Sequence, residues 1–292
     1  MFQLIGFGLV CLLVGLGLMA TGAEGVLDAL PFELSLIGGA ALGTLLIGNG
    51  PDVTRGAITG LGTAVRGSRW STGEYAALLG VLSELGRKLK RGGHVAIEED
   101  IEAPEQSELF RSAKALSDDR AARDLICDAM RLNALDPSNT ARVREQMDLA
   151  IDQHVTERMR SVAALQTVAD ALPALGIVAA VLGIIKTMTA IDAPSATVGA
   201  MVASALLGTF LGVFLSYGLI GPLANRFGQV VEEESAALDV IRTHLMQQLL
   251  GASAQASLDV ARACIPRSVR PSLEELDMAS QRVRFQVLGR AA

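Results

Sequence analysis

Two apolar runs, residues 171–190 and 198–220, stand only a short link apart, and that link carries Asp192 and Pro194. Each run is about as long as the ~20 residues a helix needs to cross the hydrocarbon core of a bilayer. Neither contains Asp or Glu. A pair of membrane-spanning helices joined by a tight outer turn is therefore the unit the rest of the chain must accommodate. Prolines stand at matching ends, Pro173 and Pro222. Proline has no N–H for the carbonyl four residues back, here Ala169 and Gly218, and its ring bends a helix. A freed carbonyl in a membrane persists only where protein or water satisfies it, so the prolines predict a built, movable pair rather than a passive anchor.

Small residues complete the pattern. Ala200, Ser204, Gly208, Gly212 and Ser216 recur every four positions, and Gly176 with Ala180, and Ala179 with Gly183, do so on the preceding run. Lipid offers no hydrophobic drive for helix association, and small residues let backbones approach closely instead. Thr209 lies mid-span beside this stripe. Lys186, near the outer end of the first run, is expected to snorkel to the interface.

Two further apolar runs, 2–20 and 32–48, raise the span count to four; half of all residues are apolar and only 19% are charged. The first run lacks a basic start and a cleavage site, so it reads as a retained helix. The link at 21–31 carries Glu24 and Asp28 and no base, whereas Arg55, Arg66, Arg69, Arg158, Arg160 and Arg226 flank the opposite ends. Positive-inside bias then places residues 49–168, the tail and both chain ends in the cytoplasm. The expected fold is an all-α membrane protein with four transmembrane helices and a helical cytoplasmic domain between the second and third. Its divisions are a first transmembrane pair (1–50), a cytoplasmic domain (51–169), the proline-bearing pair (170–222) and C-terminal helices and tail (223–292). The reading takes all four spans as free of Asp and Glu. A proton pathway normally holds an intramembrane acid, so that acid is expected from another chain.

In the insert, Tyr75, Leu78, Leu79, Leu82, Leu85 and Leu89 keep helical spacing up to Gly92-Gly93, a helix stop. An acidic loop follows at 94–108, then a helix over 118–135 ending before Pro137. Ser138 and Asn139 cap a third helix, in which Val143, Met147, Ile151, Val155 and Met159 repeat every four and lead into the 171–190 run. Beyond Pro222 another amphipathic helix is expected, and the polar end, 270–292, reads as peripheral.

No phosphate loop, nucleophile set or metal spacing is present, so no enzyme activity, cofactor or metal is expected. His94, His154 and His244 are scattered and read as solvated or capping residues, and Cys11, Cys127 and Cys264 as unpaired thiols. A net charge of -6 argues against nucleic acid as a partner.

The segments ALPALGIVAAVLGI and LLGTFLGVFLSYGLIGPLA, with ATG at the first link, ELSLIGGAALGTLLIGN, IEEDIEAPEQSELF and RPSLEELD, together resemble the MotA family of flagellar stator subunits. The likeness covers essentially the whole chain and extends to the wider MotA/TolQ/ExbB proton channel group. It implies an inner-membrane stator subunit, in a ring of five around a MotB-like dimer that supplies the missing aspartate and holds peptidoglycan. It implies that Pro173, Ala180, Thr209 and Pro222 serve the ion pathway and its coupling to movement; Gly176 joins them through the small-residue stripe, and Asp170, at the cytoplasmic end of the same helix, is placed to accept protons leaving the channel. Ala180 stands where sodium-driven relatives carry threonine, which favours protons. Lys90 with Arg91, and Glu98, match the positions that meet the rotor protein FliG, although the family carries arginine where Lys90 stands, and lysine lacks the bidentate fork. A TolQ/ExbB-like energiser of outer-membrane processes and a non-conducting membrane scaffold remain as alternatives.

Overall fold

The computed structural model describes residues 2–20 and 29–288, and every regular element among them is helical. In chain order the longer helices are α1 (Phe2–Ala20), α2 (Leu30–Gly48), α3 (Pro51–Arg66), α4 (Thr72–Gly92), α5 (Arg120–Leu135), α6 (Thr140–Met188), α7 (Ser195–Val213), α8 (Gly221–Leu249), α9 (Ala254–Cys264) and α10 (Leu273–Leu288). The helices that begin at Leu30, Thr140 and Ser195 are each long and apolar enough to cross a membrane. The first helix, α1, is 19 residues of apolar sequence. Glu24 and Asp28 of the first link lie outside the described residues.

The chain divides into two compact units, residues 1–67 with 157–230, and residues 68–156 with 231–292. The first unit holds the apolar helices. In it α2 turns one face inward, Glu33, Ile37, Ala41 and Leu45, spaced every four residues as one side of a helix requires. This corrects the acid-free reading of the spans: Glu33 lies within α2, in its first turn. In the same unit α3 crosses α6 and α8 at close range. A side chain on Gly60 would stand 2.4 Å from the Phe227 ring, and one on Gly56 would stand 2.3 Å from the Ser161 hydroxyl. Gln166 donates to Asn225 at 2.5 Å, and the Arg158 guanidinium lies 5.8 Å from the Phe227 ring centroid. Pro51 at the first helical position, where its missing N–H costs nothing, starts α3, a helix that the apolar spacing of the sequence does not announce.

The second unit is a helical domain around a core that includes Tyr75, Leu78, Leu79, Leu82, Phe110, Ile126, Met130, Val143, Ile241 and Leu245. The caps follow from local chemistry. The Ser71 hydroxyl accepts from Glu74 N at the start of α4, Asp119 accepts from Ala122 N at the start of α5, and Asn139 accepts from Arg142 N at the start of α6. At the end of α4, Gly93 takes φ 65°, the left-handed region that favours glycine. The stretch expected as an acidic loop is instead a chain of short helices, Glu98–Glu102, Glu108–Arg111 and Lys114–Asp118, after one 3-10 turn. The tail is also not peripheral: α10 packs on α4, with Leu276 and Val283 buried and a Cβ on Gly80 only 3.2 Å from Val283. Its start is a reciprocal capping box, Ser272 N donating to the Glu275 carboxylate at 2.7 Å and Glu275 N donating to the Ser272 hydroxyl.

His244 corrects a further expectation, for it is completely buried in α8 with its Nε2 2.9 Å from the Gln248 side-chain nitrogen. Burial holds its pKa down at about 4, against the hydrogen bonds that favour its charged form. The unfolded chain takes up a proton near the ordinary histidine value, and the native one does not until about pH 4. Stability therefore falls as pH drops from about 6.5 to 4, by roughly 1.4 kcal/mol per unit at full effect. His244→Gln should flatten the loss of helicity of the full chain across that window; a wild-type slope in the variant would show that other groups carry it.

Candidate functional site

The two prolines sit in different surroundings. Helix α6 runs through Pro173 without a break, whereas the segment before Pro222, Phe214–Ile220, is a π-helix. Gly221 N donates to Ser216 O, five residues back, so the chain shifts register just before the residue that cannot donate. A π-turn of this kind is rare and recurs at functional sites, and in a membrane it re-satisfies backbone groups that a proline leaves unpaired. Ser216, the last member of the small-residue stripe, is buried in this segment.

Between these features α6 and α7 meet backbone to backbone. A Cβ on Gly176 would stand 2.7 Å from Gly208 O and 2.9 Å from Gly212 Cα. One on Gly212 would stand 2.7 Å from Leu172 O, and one on Gly183 would stand 2.6 Å from the Ala205 methyl. The two stripes are thus one contact, and only hydrogen fits at its closest points. Ala179 and Ala180 are buried on the α6 side, and Thr209 is half-buried on α7. Asp170 and Lys186 are exposed.

Glu33 of α2 enters the same place. It is 4% exposed, its Oε2 has no hydrogen-bond partner, and a Cβ on Gly208 would stand 3.0 Å from that oxygen. It lies near the end of its run, in the first turn of α2. The sequence did hold a signal: the acid begins the four-residue repeat that continues as Ile37, Ala41 and Leu45.

In the second unit, Lys90 and Arg91 occupy the last turn of α4 and Glu98 opens the Glu98–Glu102 helix just beyond the Gly93 turn. All three are exposed, and Lys90 donates to Ala252 O at 3.0 Å. The neighbouring acids are not a uniform solvated run. Asp100 turns inward, bonded to Lys88 at 2.6 Å and accepting from the Ser107 hydroxyl at 2.6 Å. Glu102 pairs with Arg131 at 2.9 Å. Glu98 and Glu99 are left facing solvent. Among the described residues no group of three or more His, Cys, Asp or Glu is placed to hold a metal ion.

Residues 117–240, which include the glycine-seamed pair, match the model of the MotA/TolQ/ExbB proton channel family. Residues 4–93 match the motility protein A N-terminal model. Motility protein A of Salmonella typhimurium is 35% identical over 286 residues, 97% of this chain and 96% of the relative. Motility protein A of Escherichia coli is 36% identical, covering 95% of this chain and 94% of its own. Chemotaxis protein LafT of Vibrio parahaemolyticus is 32% identical over 87% of this chain and 90% of its own. In fold, the chain is similar to a solved structure of C. jejuni MotAB, with a TM-score of 0.73 at 19% identity over 92% of this chain and 98% of that one. It is similar also to the flagellar MotAB stator complex from Bacillus subtilis, with a TM-score of 0.67 at 17% identity over 88% and 92% of the two chains. The class is thus a membrane protein of the proton channel family. Within that class, the chain belongs to the motility protein A (MotA) family.

Proposed function

We infer that this chain is a stator subunit of the flagellar motor, which with a MotB-like partner conducts protons and converts their flow into torque. The observation that carries the reading is the glycine-seamed contact of α6 with α7, flanked by Pro173 and by the π-turn at Pro222. A pair packed this closely leaves a smooth wall for a partner span, and its ends hold the backbone irregularities that a moving part needs. Pro173, Gly176, Ala180, Thr209 and Pro222 serve the pathway and its coupling, and Asp170, exposed at the inner end, receives protons as they leave. A methyl at Ala180 offers sodium no oxygen, so the coupling ion is the proton. The assembly is a ring of five such chains around a dimer of the partner, in the inner membrane, with four spans and both ends of each chain in the cytoplasm. Peptidoglycan is reached through the partner alone. Lys90, Arg91 and Glu98 face the rotor protein FliG, where complementary charge sets partner choice and approach rate. The chain carries out no catalysis of its own.

Energetically the scheme closes. One charge crossing a potential of ~150 mV releases about 3.5 kcal/mol, comparable to the few kcal/mol that separate two conformations of a protein. Proton entry neutralises the partner's carboxylate, changes its preferred seat among the subunits, and the ring advances. Co-expression with the single-span partner should restore swimming to a strain without stators and should make vesicles proton-leaky once any plug in the partner is removed. A tight vesicle would exclude the reading. Pro173→Ala should assemble normally and swim several-fold more slowly, because an alanine restores the bond to Ala169 and stiffens the helix; unimpaired swimming would remove Pro173 from the coupling.

A further inference from the structure

We propose that Glu33 is a proton-binding site contributed by this chain itself, between the outer end of α2 and the seam of α6 with α7. The proposal rests on the channel reading above and adds a second titratable group to the one that the partner brings.

The buried face of α2 is Glu33, Ile37, Ala41 and Leu45, so a single acid heads an otherwise apolar strip. Its Oε2 is sealed from solvent and unpartnered among the described residues. A carboxyl retained only for packing would be expected to bond to a hydroxyl, an amide or a base, because a buried polar group without a partner is costly. Here the oxygen is aimed at Gly208. The position a Cβ would take on that glycine lies 3.0 Å from Oε2, 3.1 Å from the Ala179 methyl and 3.3 Å from Ala180 N. The absence of a side chain at 208 is therefore what admits the carboxyl to the junction of three helices, beside Ala180 and one residue from Thr209. Acids within membrane spans are rare, face interiors or water-filled paths, and mark proton relays.

The chemistry is a simple exchange. A proton arriving from the outer aqueous phase binds the Glu33 carboxylate and forms the neutral acid. That proton then leaves inward for the next acceptor, a carboxylate on the partner span, and Glu33 returns to its ionised form. No other bond changes, and one proton crosses per cycle.

The test uses the chain with its partner, reconstituted in vesicles under an imposed proton gradient. Glu33→Gln keeps the shape of the side chain and removes its titration. We expect it to assemble at wild-type yield with proton flux reduced tenfold or more, while Glu33→Asp keeps flux with a displaced pH profile. Flux within twofold of wild type in Glu33→Gln, with an unchanged pH profile, would overturn the proposal and leave the channel reading intact. Absence of flux in the wild-type complex would overturn both. A second measurement does not depend on any variant folding. Dicyclohexylcarbodiimide modifies protonated carboxyls in apolar surroundings, and peptide mass spectrometry of the treated wild-type complex should find the adduct on Glu33, with less of it as pH rises. An unmodified Glu33 would overturn the assignment even if Glu33→Gln fails to assemble.

Discussion

Gly212→Val is expected to abolish motility by preventing α6 and α7 from closing. At this position the first side-chain carbon would meet Leu172 O at 2.7 Å, Gly176 Cα at 2.8 Å and Gly176 N at 3.1 Å. All three are backbone atoms, so no rotamer change relieves the overlap, and the helices must part along their length. Overpacking a tight contact costs about 1–3 kcal/mol and occasionally more, and a backbone obstacle puts this case at or above the upper end. Separation at Gly212 also opens the contacts at Gly176 and Gly208, which share the seam. The measurement is the yield of chain recovered with its partner from membranes, read beside swimming. Gly199→Val is the matched control: it lies on the same helix with nothing within 4 Å of its Cβ position. Normal yield and swimming for Gly212→Val would show that the seam has more room than these distances allow.

The seam was legible because its cause is local in sequence. Small residues every four positions on two adjacent apolar runs leave few packings other than glycine against glycine. The amphipathic helices of the second unit were legible for a similar reason, from Tyr75 to Leu85 and from Val143 to Ile151. What failed to show depends on partners distant in the chain. Glu33 takes its meaning from Gly208, and His244 from a core that closes around α8. The π-turn before Pro222 is a matter of hydrogen-bond register, which composition does not record. Helix α10 was within reach, since Ser272 and Glu275 stand at capping-box spacing. The polarity of the segment outweighed that signal, although Leu276 and Val283, seven residues apart, mark its buried side.

The acidic stretch after α4 should divide into one structural acid and one functional acid, although Asp100 and Glu98 stand two residues apart. Asp100→Ala removes the acceptor for Lys88 and for the Ser107 hydroxyl together. Asp100 is 8% exposed and Lys88 is only partly so. Removing one member of a buried pair leaves the other charge uncompensated and costs 3–5 kcal/mol; partial exposure of Lys88 brings the expected loss to about 3 kcal/mol. Ser107 also caps Glu108–Arg111 through Phe110 N, and Phe110 is fully buried, so the loss should spread to the packing of that helix. Glu98→Ala touches no such network, and its effect on stability should stay within about 0.5 kcal/mol, as for other surface changes. If Glu98 meets the rotor, the order reverses in the motor. Glu98→Lys should swim far worse than wild type at unchanged stability, and a compensating charge reversal on the rotor should restore it, because a contact made and released at each step depends on charge sign more than on affinity. Thermal unfolding of the full chain in detergent separates the two acids on the first axis, and swimming speed with and without the rotor reversal separates them on the second. Equal stability losses at both positions would mean that the acidic stretch is held together as a whole and that Glu98 is not available to a partner.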